Sequence, residues 1–485
     1  VPTSQPCGAF AATEVPAEAV TSEQVTYASR QGRGLLAAVT LGAAMVFLDT
    51  TAVNVALPTI GIDLGASVSQ LQWVLTGYTL TLSAFLLLGG ALADRLGRRR
   101  IYLLGIVLFA VTSLVCALAP TIGLLIVARV LQGVAGAVVT PGSLAIIEAT
   151  FVRADRGQAI GRWAGVSGLA PALGPPLGGW LAEIDWRLVF VLNVPVAVAA
   201  FVLTRRFVPE TRDTEVAGPL DWPGAVLIAL ALGSLTLALV SWTDEQSSGL
   251  GFLAALVGVA VAAGVGFVAR QRRAPAPMVP PSLAANRTFL LANVITFACY
   301  ASLAALLFFL VLQLQTTLGF RPLVAGLAIL PFPLMLLLLS ARAGKLAGTV
   351  GPRPLLVAGP LVTAAGTVWL AFLGEGDTYL DVLPGILLFG VGFGALVAPL
   401  TATVLAAAPD RLAGTASGVN NTVSYTGELL GVASLPAVVG LSAQDYTDPA
   451  ALSDGYQLAL LLCAAALAAA ALMALRIPRR LEECR

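Results

Sequence analysis

Of 485 residues only 11% are charged and 58% are hydrophobic, with a net charge of +1 and a mean hydropathy of +0.90. A soluble domain carries about a quarter charged residues, so water is not the main solvent of this chain. The basic residues form no continuous stripe and there is no histidine, which argues against a nucleic-acid partner and excludes histidine triads and histidine metal sites.

Residues 1–33 are polar and acidic-leaning and are expected to be a disordered cytoplasmic tail without a cleavable signal peptide. Apolar windows of about twenty residues, each enough to cross roughly 30 Å of hydrocarbon as a helix, then follow. They lie at 34–57, 72–93, 100–119, 121–147, 158–181, 188–204, 223–242, 249–269, 289–314, 323–346, 354–373, 382–405, 414–440 and 457–475. This predicts an all-α integral membrane protein of fourteen spans: a first six-helix bundle over 34–204, a linker with two extra helices over 205–288, a second six-helix bundle over 289–475 and a tail over 476–485. Cysteines Cys7, Cys116, Cys299, Cys463 and Cys484 are scattered and suggest neither a disulfide framework nor a zinc site.

Positive loops are retained in the cytoplasm. Of the 27 Lys and Arg residues, all but Arg129, Arg187 and Arg321 fall in or beside the tails and alternate loops, whereas the opposite loops hold acids such as Asp63, Asp185 and Asp377. Both termini are therefore expected in the cytoplasm. Lys345 is the only lysine, and heavy use of Arg, Ala and Gly points to a GC-rich bacterial genome, hence a bacterial cytoplasmic membrane. The loop after the second span, Gly90-Ala91-Leu92-Ala93-Asp94-Arg95-Leu96-Gly97-Arg98-Arg99, is repeated in frame from Gly344 to Arg353, with Gly348 in place of the acid. Two related halves with a path between them fit this repeat.

Charged groups inside spans are expensive and are functional hypotheses by default. Asp49 lies roughly 22 Å from the inner end of the first span and Arg129 roughly 12 Å from the outer end of the fourth, depths compatible with contact. Glu428 lies roughly 21 Å from the inner end of the thirteenth. Asp49 is read as a proton-binding group or as a structural partner of a nearby arginine. Arg129 is read as that partner or as a side chain reaching back to the headgroups. For Glu428, a second proton or a cationic substrate stands beside a purely structural acid next to Tyr425. In the fifth span, Gly174-Pro175-x-x-Gly178-Gly179 combines small residues that let helices approach with prolines that bend them. Asn54, Tyr78, Gln132, Gln313, Gln315, Asn421 and Tyr425 offer amides and aromatics suited to flat hydrophobic or cationic ligands and are candidate cavity residues.

Taken with Leu48–Pro58, Arg129-x-x-Gln132-Gly133 and Ala416–Ala433, these segments resemble the major facilitator superfamily, and within it the fourteen-span drug:proton antiporter family. The resemblance covers essentially the whole membrane part. It implies proton coupling through Asp49 and Arg129, a cytoplasmic gate built on Gly90, Asp94, Arg95, Gly97 and Arg98 that latches the halves, and an antiporter signature in Gly174, Pro175, Gly178 and Gly179. The chain departs from the family where an arginine is usual near Ser424 and a glycine at Glu428, so the role of Glu428 is left open. The function expected is export of small hydrophobic or cationic compounds against protons, by a monomer in the lipid bilayer using no cofactor. A proton symporter from the same fold is the main rival. A membrane enzyme or scramblase ranks below it for want of a clustered nucleophile.

Overall fold

The computed structural model describes residues 25–167, 169–212, 221–242, 249–274, 277–409, 412–441 and 449–479. The outer parts of both expected tails, Cys7, Cys484 and the stretches 213–220, 243–248 and 275–276 of the linker lie outside the described residues. The first half comprises α1 (Arg30–Leu64), α2 (Val68–Leu96), α3 (Arg98–Ala117), α4 (Ile122–Thr150) and two broken helices, α5 (Arg153–Ser167) with α6 (Ala170–Ile184) and α7 (Arg187–Val191) with α8 (Asn193–Phe207). The inserted pair is α9 (Trp222–Trp242) and α10 (Leu250–Arg273), followed by the short α11 (Pro281–Ala284). The second half comprises α12 (Arg287–Leu312), extended by a π-helical turn at Gln313–Thr317, then α13 (Pro322–Ile329), α14 (Pro331–Val350), α15 (Arg353–Ala371), α16 (Tyr379–Ala406), α17 (Ala413–Val438) and α18 (Pro449–Ala474).

Among the described residues, twelve helices are long and apolar enough to cross a membrane, against fourteen expected. The two that fall short have identifiable causes. The segment expected at 158–181 is divided into α5 and α6, 15 residues each. Pro171 has no N–H to donate back to the preceding turn, and the Leu169 N–H reaches the Val166 carbonyl at 3.1 Å instead. The segment expected at 414–440 is the 26-residue α17, long enough to span, but Asn420, Asn421, Ser424 and Glu428 interrupt its apolar window.

Order also begins earlier than the expected tail boundary. Val25 pairs with the chain after α4, its N–H donating to the Thr150 carbonyl at 2.9 Å and its carbonyl accepting from Val152 N–H at 3.2 Å. Tyr27 N–H donates to Asp155 Oδ2 at 2.7 Å, and Ser29 caps α1 by accepting from Gly32 N–H at 2.9 Å. These bonds hold the strap before α1 against the α4–α5 junction, where sequence composition alone reads as coil.

Within the first half α2 packs on α4, and α1 on α6 and α8; within the second, α12 packs on α17 and α18, and α15 on α16. The inserted α9 lies across the seam where α2 of one half meets α17 of the other. The two halves are locked together at the end opposite the arginine-rich loops. There α6 packs on α13, Arg321 Nη2 pairs with Glu183 Oε2 at 2.7 Å, and Leu323 N–H donates to Glu183 Oε1 at 3.2 Å. Gln315 donates to the Val55 carbonyl at 2.9 Å and Gln72 to the Val432 carbonyl at 3.1 Å. Among the described residues, every hydrogen bond and ion pair joining the halves is at this end.

Candidate functional site

The buried centre of the first half is a polar cluster built on Asp49. Asp49, Arg129, Gln132, Asn193 and Ser113 are all 0% exposed, and each comes from a different helix except Arg129 and Gln132, which share one face of α4. Arg129 Nη1 donates to Asp49 Oδ2 at 2.6 Å and to Gln132 Oε1 at 2.7 Å, while its Nε donates to the Val74 carbonyl at 3.0 Å. Asp49 Oδ1 accepts from Asn193 Nδ2 at 2.7 Å and Gln132 Nε2 at 3.2 Å. Ser113 Oγ accepts from Gln132 at 2.7 Å and Asn193 at 3.3 Å, which holds both amides in place. Both carboxylate oxygens of the pair are thus satisfied, as a buried ion pair requires, whereas Arg129 Nη2 and Asn193 Oδ1 are buried without a hydrogen-bond partner.

The guanidinium also lies over the Tyr78 ring, 4.2 Å from its centroid, and 5.9 Å from that of Phe190. Away from water such a contact is worth about 2 kcal/mol. Loss of the Asp49 charge would therefore leave a buried cation held by a π face and two carbonyl oxygens, with no counter-ion among the described residues nearby.

In the second half, Glu428 stands on the same face of α17 as Asn421 and Tyr425. Among the described residues its carboxylate makes no hydrogen bond and no ion pair, so the structural reading as an acid bonded to Tyr425 gains no contact here. Tyr78, Tyr300 and Tyr425 are all within its electrostatic reach. Tyr425 packs against the hydrophobic core of the first half, so this acid faces the junction between halves.

The sequence candidates divide. Asp49, Arg129 and Gln132 come together, but Gln132 is spent inside the cluster and lines no cavity. Gln313, also 0% exposed, donates to the Leu373 carbonyl at 2.9 Å and to Ser453 Oγ at 3.2 Å in this conformation. Gln315 is part of the lock between halves, Asn421 is exposed, and Asn54 is half-buried with its Oδ1 unpartnered.

The Gly174–Gly179 run serves two contacts at once. Gly174 and Gly178 meet α1 at Thr51 and Ala52, one turn from Asp49; a Cβ on Gly178 would stand 2.5 Å from the Ala52 carbonyl oxygen. Gly179 meets the backbone of Pro322 in the other half, and reciprocally Gly326 meets the Pro175 carbonyl. One short helix thus touches both the buried charge pair's helix and the opposing bundle.

Among the described residues the gate motif makes no hydrogen bond or ion pair between the halves in this conformation. Asp94 Oδ1 pairs with Arg98 Nε at 2.7 Å within the loop. Glu210, which sequence reasoning missed, accepts from Arg99 N–H at 3.2 Å and lies 3.6 Å from Arg100 Nε. Gly97 makes room for that carboxylate at φ 111°, a region that favours glycine. Asn193, Ser113 and Glu183 were missed too. A lone amide in an apolar span, such as Asn193, was the available signal; Ser113 carried none.

Comparison with known proteins agrees with this architecture. The model of the Major Facilitator Superfamily matches residues 39–432. The puromycin resistance protein pur8 of Streptomyces alboniger is 38% identical over 425 residues, 85% of this chain and 83% of that protein. The tetracenomycin C resistance and export protein of Streptomyces glaucescens is 34% identical, covering 84% and 76%. The multidrug efflux pump LfrA of Mycolicibacterium smegmatis is 33% identical, covering 83% and 80%. Among solved structures, a bacterial homologue of the human lysosomal transporter Spinster aligns over 94% of this chain and 99% of its own at 19% identity, with a TM-score of 0.68. A peptide-transporter-type (POT family) protein aligns over 93% and 97% at 13% identity, with a TM-score of 0.70. With its all-helical halves, its buried charge pair and a family match over most of its length, the chain belongs to the Major Facilitator Superfamily and is a transporter, not an enzyme.

Proposed function

We infer that this transporter exports lipophilic or cationic small molecules, antibiotics or self-made natural products among them, from a bacterial cell in exchange for protons. The relatives named above are resistance and export proteins, and the observation that carries the coupling half of the reading is the dry Asp49–Arg129 pair. A proton arriving on Asp49 removes the counter-ion of a fully buried guanidinium. That changes the electrostatics of α1, α2 and α4 together, and α1 is in turn packed on α6, which touches the opposing half. Glu428, unpaired and among tyrosines at the junction, suits the positive centre of a substrate or a second proton. No cofactor beyond protons is required.

In this reading α5–α6 and α17 complete fourteen spans, both termini and the arginine-rich loops are cytoplasmic, and the protein works as a monomer in the cytoplasmic membrane. The broken α5–α6 remains continuous enough to run along α1, and α17 sits between α12 and α2, the place a span must occupy to complete both halves. The loop latch formed by Asp94 and Arg98 then belongs to the alternate state, in which the cytoplasmic side closes.

The test is transport in proteoliposomes of known orientation with puromycin and a lipophilic cation. Export predicts substrate-dependent proton release and accumulation against an imposed opposing proton gradient. Accumulation in the direction of proton entry would overturn it in favour of symport.

A further inference from the structure

The inserted pair α9–α10 has no part in the charge cluster, yet it flanks a half-open chamber of about 200 Å³ against the seam of the two halves. Its walls come from α2 (Ser83, Ala84, Leu87), α9 (Ile228), α10 (Phe267), α12 (Phe297) and α17, and Met278 and Val279 cover part of its arginine-rich end. A comparable apolar cavity of about 150 Å³ stays dry and takes a benzene ring. The hydroxyls that line it have no proton to spare for a polar guest: Ser83 donates to Leu80, Thr422 to Gly418 and Thr426 to Thr422, each to a carbonyl of its own helix at 2.7–3.0 Å. An uncharged hydrocarbon segment is the chemistry that fits.

The lid is fixed by a clasp at the arginine-rich ends of α9 and α10. Asp221, buried ahead of α9, accepts from Arg270 Nε at 3.0 Å, Gln271 Nε2 at 2.7 Å and Gly224 N–H at 3.1 Å. Gln271 Oε1 in turn accepts from the N–H of Val279 in the lid at 3.1 Å. The insert is therefore pinned over the chamber.

Three observations choose the occupant. At a rise of 1.5 Å per residue, Ile228 and Phe267 lie roughly 9 Å, Phe297 roughly 15 Å and Thr426 roughly 20 Å from the arginine-rich ends of their helices. That range runs from beneath a headgroup to the bilayer middle, since the hydrocarbon core is about 30 Å thick. At about 100° per residue, Thr426 and Glu428 point to opposite sides of α17, so a guest here does not meet the acid at the junction and is off the transport path. Finally, Arg95 stands on the same face of α2 as Ala84, three turns nearer the arginine-rich end. Its Nε is buried without a hydrogen-bond partner, and no acid pairs with it among the described residues.

We propose that the insert and the α2–α17 seam form a binding site for an anionic phospholipid, one acyl chain in the chamber and the phosphate on Arg95. Occupancy props α9 against both halves at once, so the lipid sets how the insert follows their motion. The proposal stands whether or not the exported substrates are those named above.

The experiment places a tryptophan in the chamber wall, Phe267→Trp, in nanodiscs of phosphatidylcholine containing a tenth of acyl-brominated phosphatidylglycerol or acyl-brominated phosphatidylcholine. The fluorescence of the added tryptophan, taken as the difference from the parent protein, should be quenched at least threefold more by the brominated phosphatidylglycerol. Ala84→Phe, which fills the chamber, and Arg95→Gln should each bring that quenching down to the phosphatidylcholine level. Equal quenching by both lipids overturns the proposal. A phosphatidylglycerol preference that survives either substitution does so too, because the lipid then lies on the outer face of α10 or is held elsewhere. Relief of the quenching by puromycin would make the chamber part of the substrate path and overturn the lipid assignment. Native mass spectrometry of the parent, A84F and R95Q proteins reads the same site without the added tryptophan. The parent should retain one more phosphatidylglycerol than either variant, and equal counts refute the site.

Discussion

Asp49→Asn separates the structural from the coupling role of the buried pair. The carboxylate accepts from Arg129 on one oxygen and from Asn193 and Gln132 on the other, at 2.6, 2.7 and 3.2 Å. An asparagine has one oxygen, so whichever way its amide turns, its NH2 confronts a donor: Arg129 in one orientation, Asn193 and Gln132 in the other. Removing one partner of a buried pair costs about 3–5 kcal/mol, and the Tyr78 contact, present in both proteins, does not change that difference. A loss of about 3–5 kcal/mol leaves a protein in the upper part of the usual range of about 5–15 kcal/mol folded, with its melting temperature in detergent clearly lowered. Substrate-dependent proton release in proteoliposomes should vanish. Asp49→Asn with Arg129→Met, which removes the orphaned cation, should recover much of the lost stability and none of the transport. Intact coupling in the single variant would refute the assignment of Asp49, and a double variant no more stable than the single would refute the account of the orphaned cation.

At the second acid, Glu428→Gln should raise the KM of a cationic substrate about tenfold while changing that of a neutral one less than twofold; equal losses measured across a matched pair would favour a structural role. Gly179→Leu drives a side chain into the Pro322 backbone, and overpacking of about 1–3 kcal/mol should shift the population about five- to a hundredfold toward separation of α6 from α13. Alkylation of a cysteine placed at Ala325, in a background without native cysteines, should accelerate accordingly. Asp221 gives a pH prediction. Burial pushes its carboxyl up, but the hydrogen bonds from Arg270, Gln271 and Gly224 outweigh this and hold it below the usual carboxylate range. Its contribution, about 1.5–3 kcal/mol for bonds to a charged group, is then present above the ordinary carboxylate value near 3.9 and lost as pH falls through the depressed one. The melting-temperature gap between the parent and Asp221→Asn should be widest at neutral pH and close on acidification toward pH 3.

Hydropathy revealed the membrane class, the order of helices and the depths at which Asp49 and Arg129 meet, because burying a charge in hydrocarbon is costly enough to leave a mark on single positions. It overestimated the uniformity of the spans. Pro171 divides one of them, and the polar run from Asn420 to Glu428 makes another too wet for a hydropathy window, although both helices pack among the rest. Ser113 was illegible, since a serine in an apolar helix commonly donates to its own backbone and nothing in the chain order brings α3 to α8. Gln313 and Gln132 looked alike as amides near span ends or faces, and only packing distinguishes an amide spent in a core from one facing a cavity. Glu183 and Glu210 looked like ordinary solvated acids because their partners are more than a hundred residues away.

Among the described residues the bonds between halves are confined to one end of the molecule, and this gives mutations a sign that depends on where they fall. Glu183, Arg321, Gly179 and Gln315 contribute only to the conformer seen here, so weakening any of them tilts the resting equilibrium toward its alternate by a factor of ten for each 1.4 kcal/mol lost. Under the latch proposed above, changes in Asp94 or Arg98, which are bonded within their own loop here, should act on the other conformer. A screen that scores growth under an antibiotic would pool both classes as loss of function. A probe of which side is accessible would separate them, and pairs drawn one from each end should partly restore turnover.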